Sequence, residues 1–148
     1  MRPMRKRKTD AGQALLEFAL VLPLLLALVL GIIFFGIALN NYITLTNATN
    51  IGAQLLSFSR NQTTDPCQTT SQAVYAAAPN LTQANLKFTI ALNGTNVVTN
   101  AASPSCSTAA LVAGQSAAVT VTYPCNLTFF TFNPGSCTLT AQTAEVIQ

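Results

Sequence analysis

Four cysteines, Cys67, Cys106, Cys125 and Cys137, are the residues whose type and spacing most clearly specify chemistry in this chain. An even number of cysteines that all follow a long apolar stretch indicates two disulfides in an oxidising compartment. Zinc is the rival interpretation, but the cysteines form no C-x₂₋₄-C pair and the chain contains no His. We therefore predict disulfides, no metal site and no cofactor.

The four cysteines permit three pairings, and the sequence alone leaves the choice open. Cys125 and Cys137 bracket a loop between two predicted strands that should be antiparallel neighbours, so their ends could lie within bridging distance. Geometry therefore favours a Cys125–Cys137 pair, which leaves Cys67 for Cys106.

Glu17 is the second chemically unusual residue, because it stands at the entrance of an apolar stretch. From Phe18 to Leu39, 22 residues carry no charge, amide or hydroxyl. At about 1.5 Å per residue, a helix of that length covers roughly 33 Å, enough to cross a hydrocarbon core of about 30 Å. Pro23 and Gly31 lie within it, and membrane helices tolerate such residues. We predict a membrane-spanning helix.

An acid at the mouth of a span is costly and needs a partner. One explanation is that Glu17 lies close enough to the interface to reach water, Arg7 or Lys8. Five of the seven Lys/Arg residues precede the span, as expected of positive residues that hold an N-terminus in the cytoplasm. Because these charges form a short tail and not a basic folded face, we predict no nucleic-acid binding.

A cleavable signal peptide is the main alternative to a retained span. Its apolar core normally measures about 7–15 residues and is followed by a small-x-small cleavage site. The apolar run here is longer, and the segment from Ile37 to Asn41 offers no such site. A retained anchor is therefore the preferred interpretation.

The helix is predicted to continue beyond Leu39, from about Gln13 to about Ser59. Residues at three- and four-residue spacing should pack under a domain: Leu45, Ala48, Gly52, Leu55 and Phe58/Ser59, with Ile51 beside them. The opposite side carries Asn47, Asn50, Gln54 and Ser57. Gly52 should let another backbone approach closely.

The segment after Asn61 reads as a small domain. A short helix from Cys67 to Ala78, ended by Pro79, precedes an alternating strand over Leu86–Leu92. Asn93-Gly94 predicts a hairpin turn that returns as a strand over Thr95–Thr99. Two further strands are predicted, Ala117–Tyr123 and about Thr138–Val146.

The predicted fold class is α+β. A long transmembrane helix continues outside the membrane and is followed by a small disulfide-bonded domain with a short helix and an antiparallel sheet. We predict four segments: a basic cytoplasmic leader over 1–12, a transmembrane helix over 13–39, a helix continuation over 40–60 and an extracytoplasmic domain over 61–148.

The arrangement Gly12-x₄-Glu17-Phe18 before a long apolar helix resembles the processing site of type IV pilins and pseudopilins. The stretch GQALLEFALVLPLLLALVLGI is closer still to the TadE-like family, the pseudopilin-like proteins of tight-adherence (Flp-type) pilus systems. The resemblance is strong over about residues 12–56 and weaker over 117–147.

The resemblance implies that a prepilin peptidase cuts after Gly12, so that the mature protein begins at Gln13. Glu17 and Phe18 would then serve helix pairing and assembly. The implied partners are the peptidase, other pilins or pseudopilins and platform proteins of the assembly apparatus. The implied location is the bacterial inner membrane, with the N-terminus in the cytoplasm, the domain outside it and possible incorporation into a pilus.

Two other functions remain as alternatives to this assembly role. The first is an uncleaved anchor that presents a binding module for an envelope protein or a carbohydrate, with Phe129, Phe130 and Phe132 as contacts. The second is an enzyme. Because the chain lacks His and its cysteines are expected to be oxidised, no nucleophile–base pair or metal set can be assembled, and only a Ser–Lys dyad through Lys87 is left. We predict a protein that is not an enzyme.

Overall fold

The computed structural model describes residues 10–125 and 137–148. Their contacts divide the chain into two compact units, one that ends at Ile37 and one from Ala38 to Gln148. We call the second unit the C-terminal domain. Each unit is described by itself.

Helix α1 runs from Asp10 to Phe58 and passes through Pro23 without ending. The part of α1 in the first compact unit exposes large apolar side chains, among them Leu24 and Phe35, which are 74% and 66% exposed. Within the described residues, α1 is the one helix long and apolar enough to cross a membrane by length and composition. These features fit the predicted span, in which lipid would cover the side chains.

Helix α2 runs from Pro66 to Ala77, one residue earlier at each end than the sequence predicted. Proline at the first helical position needs no hydrogen-bonded N–H and already has a helical φ angle. Asp65 precedes it as the N-cap. The helix ends before Pro79, as expected from the restriction that proline places on the preceding residue.

The sheet contains four antiparallel strands in the order β2-β1-β3-β4. The strands are β1 (Lys87–Leu92), β2 (Thr95–Ala101), β3 (Ser116–Cys125) and β4 (Cys137–Val146). Asn93 and Gly94 join β1 to β2 with φ angles of 50° and 78°. Two successive positive φ angles are those of a type I′ turn, which Asn-Gly favours.

The core lies on one face of this sheet. Phe88, Ile90 and Leu92 of β1 are buried, and so are Val119 and Val121 of β3. The alternate residues of both strands are partly exposed, so the two-residue period of the sequence selects the buried face. Helices and sheet together confirm the predicted α+β class with two disulfides.

The part of α1 within the C-terminal domain buries a different stripe from the one predicted. Leu45, Ala48 and Gly52 are buried as expected, but Leu55 and Phe58 are 37% and 51% exposed. Of the predicted pair Phe58/Ser59 only Ser59 is buried, and Ile51 is 49% exposed. The buried face also includes Ala53, Leu56 and Ser57, which the pattern did not place there.

The placement of Ser57 on the outer side was therefore wrong. Its carbonyl accepts the N–H of Gln148 at 3.0 Å, and its hydroxyl donates to the Gln54 carbonyl at 2.7 Å. Because its polar groups are satisfied in this way, a small hydroxyl side chain can occupy a buried helix position that a hydrophobic pattern assigns to solvent.

Gly52 marks the close approach that the sequence predicted. A Cβ atom at this position would lie 2.6 Å from Val74 Cγ2 and 3.3 Å from Thr70 Cγ2, both on α2. The missing side chain therefore allows α2 to pack against α1.

Candidate functional site

The residues of the predicted processing site lie in the first turns of α1. Gln13, Glu17 and Phe18 are exposed, and a Cβ atom at Gly12 would meet nothing within 4 Å. The described residues therefore leave this end of the helix open to a partner.

Gln13 and Glu17 lie on the same face of α1, because residues four apart are neighbours on a helix. The Gln13 Nε2 group donates a hydrogen bond to Glu17 Oε1 at 3.5 Å. The helix thus places residue 13 and the acid close enough for polar contact. A positive group at residue 13 would lie within one turn of the carboxylate.

The other predicted span residues are not brought together. Pro23 lies within the helix, Gly31 has open space around its Cα, and Leu39 is 44% exposed. Their shared property is apolarity along the helix, which fits contact with lipid or neighbouring helices.

The structure pairs Cys67 with Cys106 and Cys125 with Cys137. The Cα atoms of these pairs are 5.3 Å and 5.1 Å apart. Cys125 and Cys137 are direct partners across β3 and β4, which is the strand geometry that favoured this pairing in the sequence.

Asp65 joins the N-terminus of α2 to the segment that contains Cys106. Its Oδ1 accepts the N–H groups of Gln68 and Cys106, each at 3.0 Å. Its Oδ2 accepts the hydroxyl of Ser105 at 2.5 Å. One carboxylate therefore caps a helix and holds a chain segment 41 residues away.

The hydrogen bonds stabilise the ionised form of the Asp65 carboxyl group. Partial burial alone would raise the pKa of this carboxyl, but bonds from Ser105 and from the backbone N–H groups of Cys106, Gln68 and Cys67 outweigh it and lower the pKa. Donors to a carboxylate favour its ionised form.

We expect Asp65→Ala to lower the free energy of unfolding by about 1–2 kcal/mol at pH 7, through loss of the N-cap and of the Cys106 contact. Asp65→Asn should cost less, because Asn is also a good N-cap acceptor. The pKa of Asp65 in the folded state lies below its unfolded value of about 3.9. The stabilisation that depends on the charge of Asp65 is therefore fully present above the unfolded pKa and is lost as pH falls through the folded pKa. The measurement is urea unfolding of the full chain in detergent at pH 7 and pH 3.

The matched comparison for this prediction is wild type against Asp65→Asn. Their difference in unfolding midpoint should be larger at pH 7 than at pH 3. Equal midpoints for wild type and Asp65→Ala at pH 7 would contradict the proposed role of the carboxylate.

A polar groove of about 400 Å³ lies between α2 and the segment near Ser105. Its lining residues are Asp65, Gln68, Ser71, Gln72, Tyr75, Ser103, Pro104 and Ser105. The groove offers amides, hydroxyls and the Asp65 carboxylate, whose two oxygens already accept hydrogen bonds from Ser105, Cys106 and Gln68. Its chemistry suits hydrogen bonding to a polar group.

The role of Asp65 was missed in the sequence, although part of its signal was present. An Asp before Pro at the start of a helical segment is a typical N-cap pattern. No sequence pattern near Asp65 predicts its contacts with Ser105 and Cys106. Phe129, Phe130 and Phe132, the predicted contacts of a binding module, lie outside the described residues.

Comparison with known proteins is informative for the N-terminal part of the chain. The family model described as TadE-like protein matches residues 12–54. No curated protein and no solved structure gives a significant match. The match begins at Gly12 and covers Glu17, the apolar span and most of the following helix. Residues 12–54 therefore match the TadE-like model, which confirms the N-terminal part of the resemblance seen in the sequence; the match does not extend to residues 117–147.

Proposed function

We propose that this protein is a pseudopilin-like, single-pass membrane protein that takes part in assembly of a tight-adherence (Flp or type IV-like) pilus or secretion apparatus. The observation that carries this proposal is the TadE-like match, which starts at Gly12 and extends along one continuous helix. The role is structural, and its partners are other pilins or pseudopilins and the platform proteins of the apparatus.

The proposal includes cleavage after Gly12 by a prepilin peptidase on the cytoplasmic side of the inner membrane. The removed segment contains Arg2, Arg5, Lys6, Arg7 and Lys8 together with Asp10, so cleavage takes away a net side-chain charge of 5 − 1 = +4. Removal of this basic segment would free the helix end to approach other helices.

Cleavage would also create an α-amine on Gln13. The Gln13 side chain already reaches Glu17, so an amine on the same residue would lie within one turn of the carboxylate. Attraction between these charges is stronger in a medium of low dielectric constant than in water. Pairing with its own Glu17 would neutralise the acid within one helix, whereas pairing with the Glu17 of a neighbouring helix would fix the register of the packed helices.

Intact-mass measurement of the membrane-extracted protein tests this processing. In a strain with an active prepilin peptidase, we expect the mass of a chain that begins at Gln13. The matched control is Gly12→Leu, which should keep residues 1–12 because the peptidase in this group cuts after glycine.

Retention of residues 1–12 by the wild-type chain in that strain would contradict the processing. It would favour the alternative of an uncleaved anchor with a binding module. The polar groove beside α2 would then be a natural place to search for a ligand of that module.

A further inference from the structure

The part of α1 in the C-terminal domain has an exposed face that faces away from the core. We call it the outer face and define it as Asn47, Ile51, Gln54, Leu55 and Phe58. Ile51, Leu55 and Phe58 are 49%, 37% and 51% exposed. No residue of this face is charged. Among the described residues, none buries it.

The residues of the outer face are spaced as in a helix–helix seam. Asn47, Ile51, Gln54 and Phe58 follow one another at steps of four, three and four residues. This alternation keeps a stripe aligned with a parallel helix that packs at a crossing angle of about 20°. Single exposed apolar residues are ordinary, but an aligned set on one helix indicates a contact surface.

We propose that the outer face binds the outer face of a second copy of this chain, with the two helices parallel and in register. This inference rests on the membrane anchoring in the proposed function, but not on cleavage after Gly12. Because every copy would insert in the same orientation and α1 is continuous, each residue of the face meets its own counterpart.

Self-pairing suits the side chains of this face. The amide of Asn47 has both donors and an acceptor, so it can bond to the same amide of a second copy when the two helices are in register. Ile51 and Phe58, which both follow Asn47 along the helix, would lose exposed apolar surface in the contact.

The charge of the C-terminal domain also permits close approach of copies. From Ala38 to Gln148 the charged residues are Arg60, Asp65, Lys87 and Glu145, so the net charge is 2 − 2 = 0. A net charge near zero favours association, since no long-range repulsion opposes it. Anchoring in one membrane further raises the effective concentration of the partner, so a short seam is sufficient.

Chemical cross-linking of the full-length chain in its membrane tests this interface. All four native cysteines are in disulfides, so a single added cysteine provides the reactive thiol. With a short homobifunctional maleimide, Asn47→Cys should give a covalent dimer. The matched control, Gln72→Cys, is exposed on α2 outside the outer face and should remain monomeric.

A second substitution tests the apolar part of the seam. Adding Ile51→Lys to Asn47→Cys should abolish the dimer band, because the contact would bury one ammonium group against another. Ile51 is half exposed, so folding should persist, which the unfolding midpoint checks. After allowance for the two substitutions, the intact mass should give the same N-terminal residue as the wild type, and this separates failure of the interface from failure of processing.

Three results would overturn the inference. Equal cross-linking at positions 47 and 72 would show random encounter in the membrane. A thiol at position 47 that a monofunctional maleimide labels but the bifunctional reagent does not join would show that no second copy lies there. A thiol at position 47 that neither reagent reaches would show that another segment covers the face.

Discussion

Replacement of both Cys67 and Cys106 by serine should lower the free energy of unfolding of the C-terminal domain by about 4 kcal/mol, on the chain-entropy account of disulfides. This bridge joins residues 39 positions apart and therefore restricts a long loop in the unfolded chain. A small domain depends heavily on such a restriction, because its core is limited.

Urea unfolding of the full chain in detergent, followed by tyrosine fluorescence, measures this effect. The chain has no Trp, and Tyr75 packs edge-on against buried Phe88 with ring centroids 5.6 Å apart, so its emission should report on the core. The same serine pair at Cys125 and Cys137 is the matched control. Serine at both Cys125 and Cys137 should lower the free energy of unfolding by about 3 kcal/mol, because that bridge joins residues only 12 positions apart.

The order of these two losses is the critical result. A larger loss from the Cys125–Cys137 pair would contradict loop length as the main source of the difference. An unchanged midpoint in both variants would show that neither bridge limits the unfolded chain.

Gly52→Val should destabilise the same domain by about 3 kcal/mol, which is the upper end of ordinary overpacking effects. The new Cβ would lie 2.6 Å from Val74 Cγ2, a distance too short for carbon atoms. Valine has one strongly preferred rotamer in a helix, so Val74 cannot readily turn away. Either α2 must move from α1 or a side chain must leave its preferred geometry.

Two variants test this explanation of Gly52. Gly36→Val introduces the same side chain into α1 where a Cβ would meet nothing within 4 Å, so it should leave unfolding of the domain unchanged. Val74→Ala removes the clashing methyl groups and should reduce the penalty of Gly52→Val, so that the double mutant loses less stability than the sum of the two single mutants. Equal penalties with and without Val74→Ala would contradict the steric account.

The strands and the hairpin were predictable from the sequence because their determinants are local. Alternation along Phe88, Ile90 and Leu92 selects one face of β1, and Asn93-Gly94 supplies the two positive φ angles of the turn. The predicted processing motif is equally local, since Gly12 and Glu17 are five residues apart, and processing itself stays a prediction. The TadE-like match covers this motif.

The packing of α1 was predicted less well, because hydrophobicity alone does not decide which residues face a close neighbour. Leu55 is more apolar than Ser57, yet Ser57 is buried. A small side chain permits the close contact with Gln148, and hydrogen bonds satisfy its polar atoms. The contacts of Asp65 with Ser105 and Cys106 depend on the tertiary fold, so they cannot be predicted from the spacing of residues in the sequence.

The position of Asp65 has a consequence for oxidative folding. The carboxylate stands two residues before Cys67 and accepts the backbone N–H of Cys106, so its hydrogen bonds join the same two segments that the disulfide joins. In the reduced chain, the same bonds would raise the local concentration of one thiol near the other and favour this pairing over the two others that four cysteines allow. The same carboxylate that caps the finished helix would then also direct formation of this disulfide.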